Sequence, residues 1–130
     1  MTFDFLSTKD ALQIHAQQLS RFGGAEGLRD ERLLESALAQ PQASFGGKYL
    51  YGTVYEMAAA YLFHIVSNHP FIDGNKRAGL LCALTFLEIN GIEVDDPHRS
   101  LYDLTYGVAE GKIEKAEIAK HLEALPRLNK

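Results

Sequence analysis

The chain has 130 residues, of which 46% are hydrophobic and 23% are charged, as is typical of a single globular domain. We therefore expect residues 1–130 to form one domain. A formal net charge of −4 argues against the broad basic face of a nucleic-acid-binding protein. The single cysteine, Cys82, excludes an intrachain disulfide. Because neither a membrane-length apolar run nor a signal-peptide pattern is present, we expect a cytoplasmic protein without membrane contact.

The first 41 residues contain two predicted amphipathic helices. Ser7 and Asp10 have the S-x-x-D spacing of a capping box, which predicts a helix from this point to Gly23. Apolar side chains at helical spacing predict its inner face: Leu12, Ala16 and Leu19. A second helix is predicted to begin near Asp30 and to end at Pro41. Its predicted inner face consists of Leu33, Leu34, Ala37 and Leu38.

Residues 42–52 contain three glycines and three aromatic residues, which predict a flexible loop or a small hairpin. This segment is either a docking surface for a target protein or an ordinary mobile connection. A third helix is predicted at 53–68 and is apolar on nearly all sides apart from His64. A helix of this kind is usually surrounded by other helices, so we interpret His64 as a hydrogen-bonded histidine of the core.

Another strongly apolar helix is predicted at 75–90, followed by Gly91 in the position of a left-handed C-cap. After a short extended segment at 92–94, Pro97 is predicted to open a fifth helix at its first turn. That helix has one apolar face, formed by Leu101, Leu104 and Val108. A last helix is predicted at 114–125. The other histidines are assigned to solvent-exposed positions: His15, His98 and His121. The pattern predicts an all-α bundle around two buried central helices.

Residues 69–77, with the sequence HPFIDGNKR, lie between the two apolar helices. Gly74 leads into a helix N-terminus, where free N–H groups and the helix dipole favour an anion. Lys76 and Arg77 lie in the first turn, where cations are unfavourable unless a negative group such as phosphate is bound. His69 is suited to accept a proton near neutral pH, and Asp73 is a suitable Mg²⁺ ligand. The segment therefore indicates a site for phosphoryl or nucleotidyl transfer.

Each of these features also has an ordinary structural interpretation. A loop histidine commonly caps a helix, Asp-Gly-Asn commonly forms a turn, and Lys-Arg on a helix commonly faces solvent. A zinc site formed by His64, His69 and Asp73 is a further alternative, although zinc sites usually have more ligands. The combination of all features at one helix start, between two apolar helices, favours the catalytic interpretation.

The segment from His69 to Arg77 resembles the Fic motif, H-x-F-x-[D/E]-G-N-x-R, at every fixed position. Four further stretches resemble the death-on-curing proteins of the Fic/Doc family and extend the likeness over nearly the whole chain: 5–7, 27–30, 33–37 and 90–91. The resemblance implies a Fic/Doc-type helical bundle and a transferase that uses ATP and Mg²⁺.

The resemblance also implies a role for each residue of the motif. His69 would be the catalytic general base toward a hydroxyl group of the target, and Asp73 would hold Mg²⁺. Phe71 would anchor the loop in the core. The residues that would bind the phosphates of the nucleotide are Gly74, Asn75, Lys76 and Arg77.

Two positions differ from the adenylylating members of the family. Lys76 occupies a position where those proteins usually have glycine, and Leu80 occupies the position of a second arginine. Both changes resemble the death-on-curing branch. The resemblance therefore implies transfer of the ATP γ-phosphoryl group to elongation factor Tu, which would block translation. Two alternatives stay open: transfer of AMP by the same loop, and a catalytically weak module that binds an antitoxin and regulates its own operon.

A second sequence pattern of the family distinguishes members that inhibit themselves from members that a separate protein inhibits. Self-inhibiting members carry the sequence [S/T]-x-x-x-E-[G/N] in a helix. This chain has Tyr106 before Glu110-Gly111, and Phe22 before Glu26-Gly27, where that pattern requires serine or threonine. The resemblance therefore implies inhibition by a separate cognate antitoxin, part of which would fold onto the toxin.

Overall fold

Helices account for most of the regular structure in the computed structural model, which describes residues 2–128. Within these residues the helices are α1 (Thr8–Phe22), α2 (Glu31–Ala39), α3 (Val54–Asn68), α4 (Asn75–Ile89), α5 (Ser100–Ala109) and α6 (Lys115–Ala124). A 3₁₀ turn at Gln40–Gln42 follows α2, and two antiparallel strands, β1 (Ser44–Phe45) and β2 (Lys48–Tyr49), form a hairpin. The all-α prediction is confirmed. No helix of the described part of the chain is long and apolar enough to cross a membrane.

The first two helices have the predicted N-terminal caps. The Ser7 hydroxyl accepts a hydrogen bond from the backbone N–H of Asp10 at 3.1 Å, and the Asp10 carboxylate accepts one from the N–H of Ser7 at 2.8 Å. Asp30 caps α2 by accepting from the N–H of Arg32 at 2.9 Å. These bonds satisfy N–H groups that have no acceptor within the helix, and both helices begin where predicted.

The inner face of α1 differs from the predicted one. Leu12 is 38% exposed, Ala16 is exposed, and Leu19 is only partly buried. The buried residues of α1 are Ala11, Ile14 and His15. His15 can lie in the interior because its ring has a stacking partner and a hydrogen-bonding partner in the loop before α4. The prediction of an inner leucine stripe was therefore wrong, and so was the prediction of an exposed His15.

The helices α3 and α4 form the centre of the bundle, as predicted. Helix α3 packs against α2, α4 and α6, α1 packs against α4, and α5 packs against both central helices. Gly79 permits a close approach of the central pair, since a Cβ atom at this position would lie 3.0 Å from Val66 Cγ2. Both helices contribute large side chains with almost no exposed surface to the core: Tyr61, Leu62, Ile65, Phe86 and Leu87. Both ends of the loop that joins α3 to α4 are therefore fixed in the core.

Helix α5 begins at Ser100, three residues later than predicted. Arg99 has a φ angle of +54°, which is incompatible with a right-handed helix that starts at Pro97. The Asp96 carboxylate accepts hydrogen bonds from the N–H groups of Ser100 and Leu101, both at 2.9 Å. These bonds satisfy free N–H groups of the first turn and fix the actual start of the helix.

Residues 42–52 contain the small hairpin. Gly46 and Gly47 form its turn with φ angles of +59° and +80°, which few other residues adopt readily. The ring of Tyr49 packs on Phe3 and Phe5, with centroid distances of 5.9 and 5.6 Å. Phe45 is 86% exposed. The hairpin is confirmed, and its role in docking a target stays a prediction.

His64 is a partly buried residue of α3 whose Nε2 lies 3.0 Å from Nζ of Lys115 in α6. A lysine ammonium only donates hydrogen bonds, so this nitrogen of His64 is the acceptor and the ring is neutral. Burial, together with the charge of Lys115, lowers the pKa of His64 from 6.5 to about 4. The predicted hydrogen bond of His64 is confirmed, whereas its ring is only partly buried and does not belong to the core.

We expect the free energy of unfolding to decrease as the pH falls from 6.5 to about 4. In this interval the unfolded chain binds a proton at His64 and the folded chain does not, so protons favour the unfolded state. A shift of this size corresponds to about 3 kcal/mol for a fully buried group, and we expect about half of it because the ring is partly exposed. Urea unfolding at about pH 7.5 and about pH 4.5 measures the effect.

The variant His64→Gln is the control for this effect, since it keeps an acceptor for Lys115 but does not titrate. It should lose less stability than the wild type between the two pH values. Equal losses in the two proteins would contradict the assignment of this pH dependence to His64.

Candidate active site

The loop between α3 and α4 consists of residues 69–74 and contains most of the motif. His69 ends α3 with a φ angle of +52°, and its side chain is exposed. Gly74, with a φ angle of +79°, directly precedes α4. In the first turn of α4 the N–H groups of residues 75–77 have no acceptor within the helix. They can therefore donate to a bound anion.

The two cations of the motif lie on aromatic rings. Lys76 Nζ is 5.4 Å from the centre of the Tyr106 ring, and the guanidinium carbon of Arg77 is 5.1 Å from the centre of the Phe22 ring. Among residues 2–128, neither cation has a carboxylate oxygen within 4.0 Å. Both cations interact electrostatically with the Asp73 carboxylate, but this single negative charge leaves a net positive charge at the helix N-terminus, which favours a bound anion and agrees with the predicted phosphate site.

A cleft of about 500 Å³ lies beside this helix end. Phe22 of α1 lines one side of it, and Tyr102 and Tyr106 of α5 line another. Residues 73–77 also line the cleft, whereas His69 does not. Three leucines of α4 extend the lining beyond the motif: Leu80, Leu81 and Leu84. The cleft therefore combines a charged part at the start of α4 with an apolar part farther along the helix.

Asp73 has an exposed carboxylate that two backbone N–H groups hold in place. One oxygen accepts from Ala25 at 3.1 Å and the other accepts from Gly74 at 2.8 Å. The bond from Ala25, then the bond from Gly74 and the charges of Arg77 and Lys76, lower the pKa of Asp73. The carboxylate is therefore ionised near neutral pH, and each oxygen has acceptor capacity left. This geometry fits the role of Mg²⁺ ligand, which stays a prediction.

The side chain of Asn75 is buried and braces the loop. Its Oδ1 accepts from the N–H of Phe71 at 2.9 Å, and its Nδ2 donates to the carbonyl oxygen of Phe71 at 3.0 Å. Phe71 itself is buried, which confirms its predicted role as an anchor. The contact of Asn75 with phosphate stays a prediction, and the free backbone N–H of this residue is a donor that can make it.

His15 is a residue of the site that the sequence analysis missed. Its Nε2 lies 2.7 Å from the carbonyl oxygen of Asp73 and therefore carries a proton. Its ring stacks on Phe71, with a centroid distance of 3.7 Å and an interplanar angle of 5°. A signal was present in the sequence, because Ala11 and Ile14 lie on the same face of the helix as His15.

Residues 25–30 run beside the motif loop. Leu28 forms an antiparallel bridge with Phe71, and the N–H of Ile72 donates to the carbonyl oxygen of Gly27 at 3.0 Å. Arg29 contacts the loop near His69. The motif loop is therefore held from outside by two segments, α1 and 25–30, that precede it by many residues.

The alternative zinc site is contradicted by the structure. In the part of the chain that the structure describes, no group of three or more His, Cys, Asp and Glu side chains could hold a metal ion. His64 is also bonded to the Lys115 ammonium, whose charge opposes a metal cation. A Mg²⁺ ion held by one carboxylate and the phosphates of a substrate is a different kind of site and is compatible with Asp73.

Comparison with known proteins agrees with the geometry of the loop. The family model described as the Fic/DOC family matches residues 5–87, which include the whole motif. "Protein kinase doc" of Escherichia phage P1 is 34% identical over 120 residues, which are 92% of this chain and 94% of that protein. "Toxin Doc" of Mycolicibacterium smegmatis is 44% identical over 73 residues, which are 56% of each chain. The chain therefore belongs to the Fic/DOC family.

Proposed function

We propose that the chain is the toxin of a toxin–antitoxin pair and transfers the γ-phosphoryl group of ATP to a hydroxyl group of elongation factor Tu. This reaction would block translation in the cytoplasm. The observation that carries the proposal is the presence of His69, an ionised Asp73 and a free helix N-terminus on one loop. The names of the relatives, "Protein kinase doc" and "Toxin Doc", support a toxin with kinase activity.

In the proposed mechanism His69 takes the proton of the acceptor hydroxyl group. The oxygen then forms a bond to the γ-phosphorus, while the bond from that phosphorus to the bridging oxygen breaks and ADP leaves. The free N–H groups of residues 75–77, with the charges of Lys76 and Arg77, bind the phosphates and stabilise the leaving ADP. Asp73 would hold Mg²⁺, which supplies further positive charge to the phosphate oxygens. Because His69 is exposed, a protein substrate can reach it.

Two residues favour transfer of the γ-phosphoryl group over transfer of AMP. Lys76 adds bulk and charge at a position where adenylylating members have glycine. Leu80 lines the cleft with an apolar side chain at the position of their second arginine, so one phosphate ligand is missing. Transfer of AMP by the same loop is the second candidate activity.

We propose a cognate antitoxin as the second partner of the chain. The names of the relatives support this partner, and so does the apolar part of the cleft. Phosphate groups do not use leucine side chains, whereas an amphipathic segment of another protein would bury them. A catalytically weak module that binds an antitoxin and regulates its operon is the third candidate.

The proposed reaction is tested by incubating the purified chain with elongation factor Tu and Mg·ATP and measuring the intact mass of the factor. We expect a gain of one phosphoryl group that a chelator of Mg²⁺ abolishes. A gain of one AMP would assign the adenylyltransferase activity instead. An unchanged mass, with normal binding of the antitoxin, would favour the binding module.

A further inference from the structure

Arg29 donates hydrogen bonds to three successive backbone carbonyl groups at the end of α3. Its Nη2 donates to Asn68 at 2.9 Å, and its Nε donates to His69 at 2.7 Å. Its backbone N–H donates to Pro70 at 2.7 Å. His69 is the middle residue of the three acceptors. One residue outside the motif therefore holds the backbone on both sides of the proposed general base.

These bonds hold a backbone conformation that most residues avoid. His69 has a φ angle of +52°, in the left-handed region. The carbonyl groups of Asn68 and His69 lie at the end of α3 and have no N–H partner within that helix. The planar guanidinium of Arg29 satisfies both groups at once, and its charge lies at the negative end of the helix dipole. This backbone conformation fixes the direction of the Cα–Cβ bond of His69 and thereby limits the positions that its imidazole can reach.

Within residues 2–128, the guanidinium of Arg29 donates its hydrogen bonds to the His69 end of the loop and to no other group. The other end is held by His15, which donates to the carbonyl oxygen of Asp73, and by Asn75, which bonds to the backbone of Phe71. Loss of the guanidinium should therefore change the orientation of His69 and leave the anion site at the start of α4 intact.

We propose that Arg29 is a positioning residue that holds the backbone of His69 so that the imidazole has the orientation needed to take the proton of the acceptor. This inference rests on the proposed function, because His69 needs that orientation only if the chain transfers a group to a hydroxyl. Arg29 acts through His69 and not on the nucleotide.

Three variants distinguish the effect of the planar guanidinium on His69 from the effect of a positive charge alone. Arg29→Ala removes both side-chain bonds and keeps the backbone bond to Pro70. Arg29→Lys keeps the charge but lacks the planar fork that bridges two carbonyl groups. Arg32→Ala is the matched control, since Arg32 is exposed and its side chain has no hydrogen bond or ion pair in the described part of the chain.

The first readout is the rate of transfer to the acceptor. We expect Arg29→Ala to lower kcat about 10-fold or more and to leave the KM for ATP within about two-fold, because the phosphate site is unchanged. Arg29→Lys should also fall below the wild type, and Arg32→Ala should match it. A raised KM for ATP with an unchanged kcat would overturn the proposal, since it would place Arg29 in nucleotide binding.

The second readout does not depend on activity. The ¹³Cα and ¹³Cβ chemical shifts of His69 report its backbone conformation, and they should change in Arg29→Ala but not in Arg32→Ala. Unchanged shifts in Arg29→Ala would overturn the proposal. If Arg29→Ala does not fold, the shifts of Arg29→Lys decide in its place. If the wild type transfers no group to any acceptor, the proposed function fails, and the shifts alone decide whether Arg29 orients His69.

Discussion

Replacement of His69 by asparagine is expected to lower the rate of transfer at least about 100-fold, because the reaction loses its general base. Asparagine tolerates the left-handed conformation of this position, where φ is +52°. The exposed imidazole of His69 has no hydrogen bond to any residue that the structure describes. The midpoint of thermal unfolding should therefore stay close to that of the wild type, and the loss of rate should be a loss of chemistry.

A time course of acceptor mass in the presence of Mg·ATP compares the variants. His98→Asn is the matched control, because His98 is an exposed histidine outside the motif and has no hydrogen bond, ion pair or ring contact within residues 2–128. It should retain the wild-type rate. Expression without an antitoxin should arrest growth for the wild type and for His98→Asn, but not for His69→Asn. A wild-type rate in His69→Asn would mean that another group takes the proton and would remove His69 from the mechanism.

Replacement of Phe71 by alanine is expected to lower the free energy of unfolding by about 3–5 kcal/mol. Phe71 is fully buried and its ring stacks on the buried His15 at a centroid distance of 3.7 Å. Alanine would leave a cavity there and remove the stacking partner of His15. Because domains of this size are stable by only about 5–15 kcal/mol, this single change should remove a large part of the total.

Urea unfolding followed by circular dichroism measures this loss. Phe45→Ala is the matched control, since the same side chain is 86% exposed in the hairpin and its removal should change the stability by less than about 0.5 kcal/mol. The transfer rate of Phe71→Ala should fall by more than its folded fraction, because the loop that carries His69 and Asp73 loses its anchor. A stability loss below about 1 kcal/mol would show that the loop does not depend on this contact with the core.

Most helix limits could be predicted because they depend on residues that are close in sequence. The Ser7 and Asp10 side chains cap α1 through each other's backbone, and Asp30 caps α2 two residues away. The nearly uniform apolar character of α3 and α4 likewise predicted their central position. The start of α5 was missed because Arg99 adopts a positive φ angle, which no periodicity in the sequence reveals.

The residues of the motif could be recognised for the same reason, since they are contiguous and their spacing is visible in the chain. Their surroundings could not. The sequence analysis assigned His15 to an exposed position although Ala11 and Ile14 share its face, and nothing local indicated that its ring would stack on Phe71. Arg29 had no assigned contact, although it bonds to three carbonyl groups around His69. The sequence also gave no reason to expect that Ala25 would hold the carboxylate of Asp73.

Hydrophobic periodicity, capping residues and one contiguous motif were thus sufficient to specify the helix order and the buried central pair, and to single out residues 69–77 as the candidate site. Packing of the bundle specified which face of α1 is buried, which side chains line the cleft and which donors hold the motif loop. These features could not be predicted from the sequence because the residues that form them are far apart along the chain. Contacts such as that between Arg29 and His69, or between His15 and Asp73, join residues 40 and 58 positions apart, and their relative positions follow from the packing of all helices together.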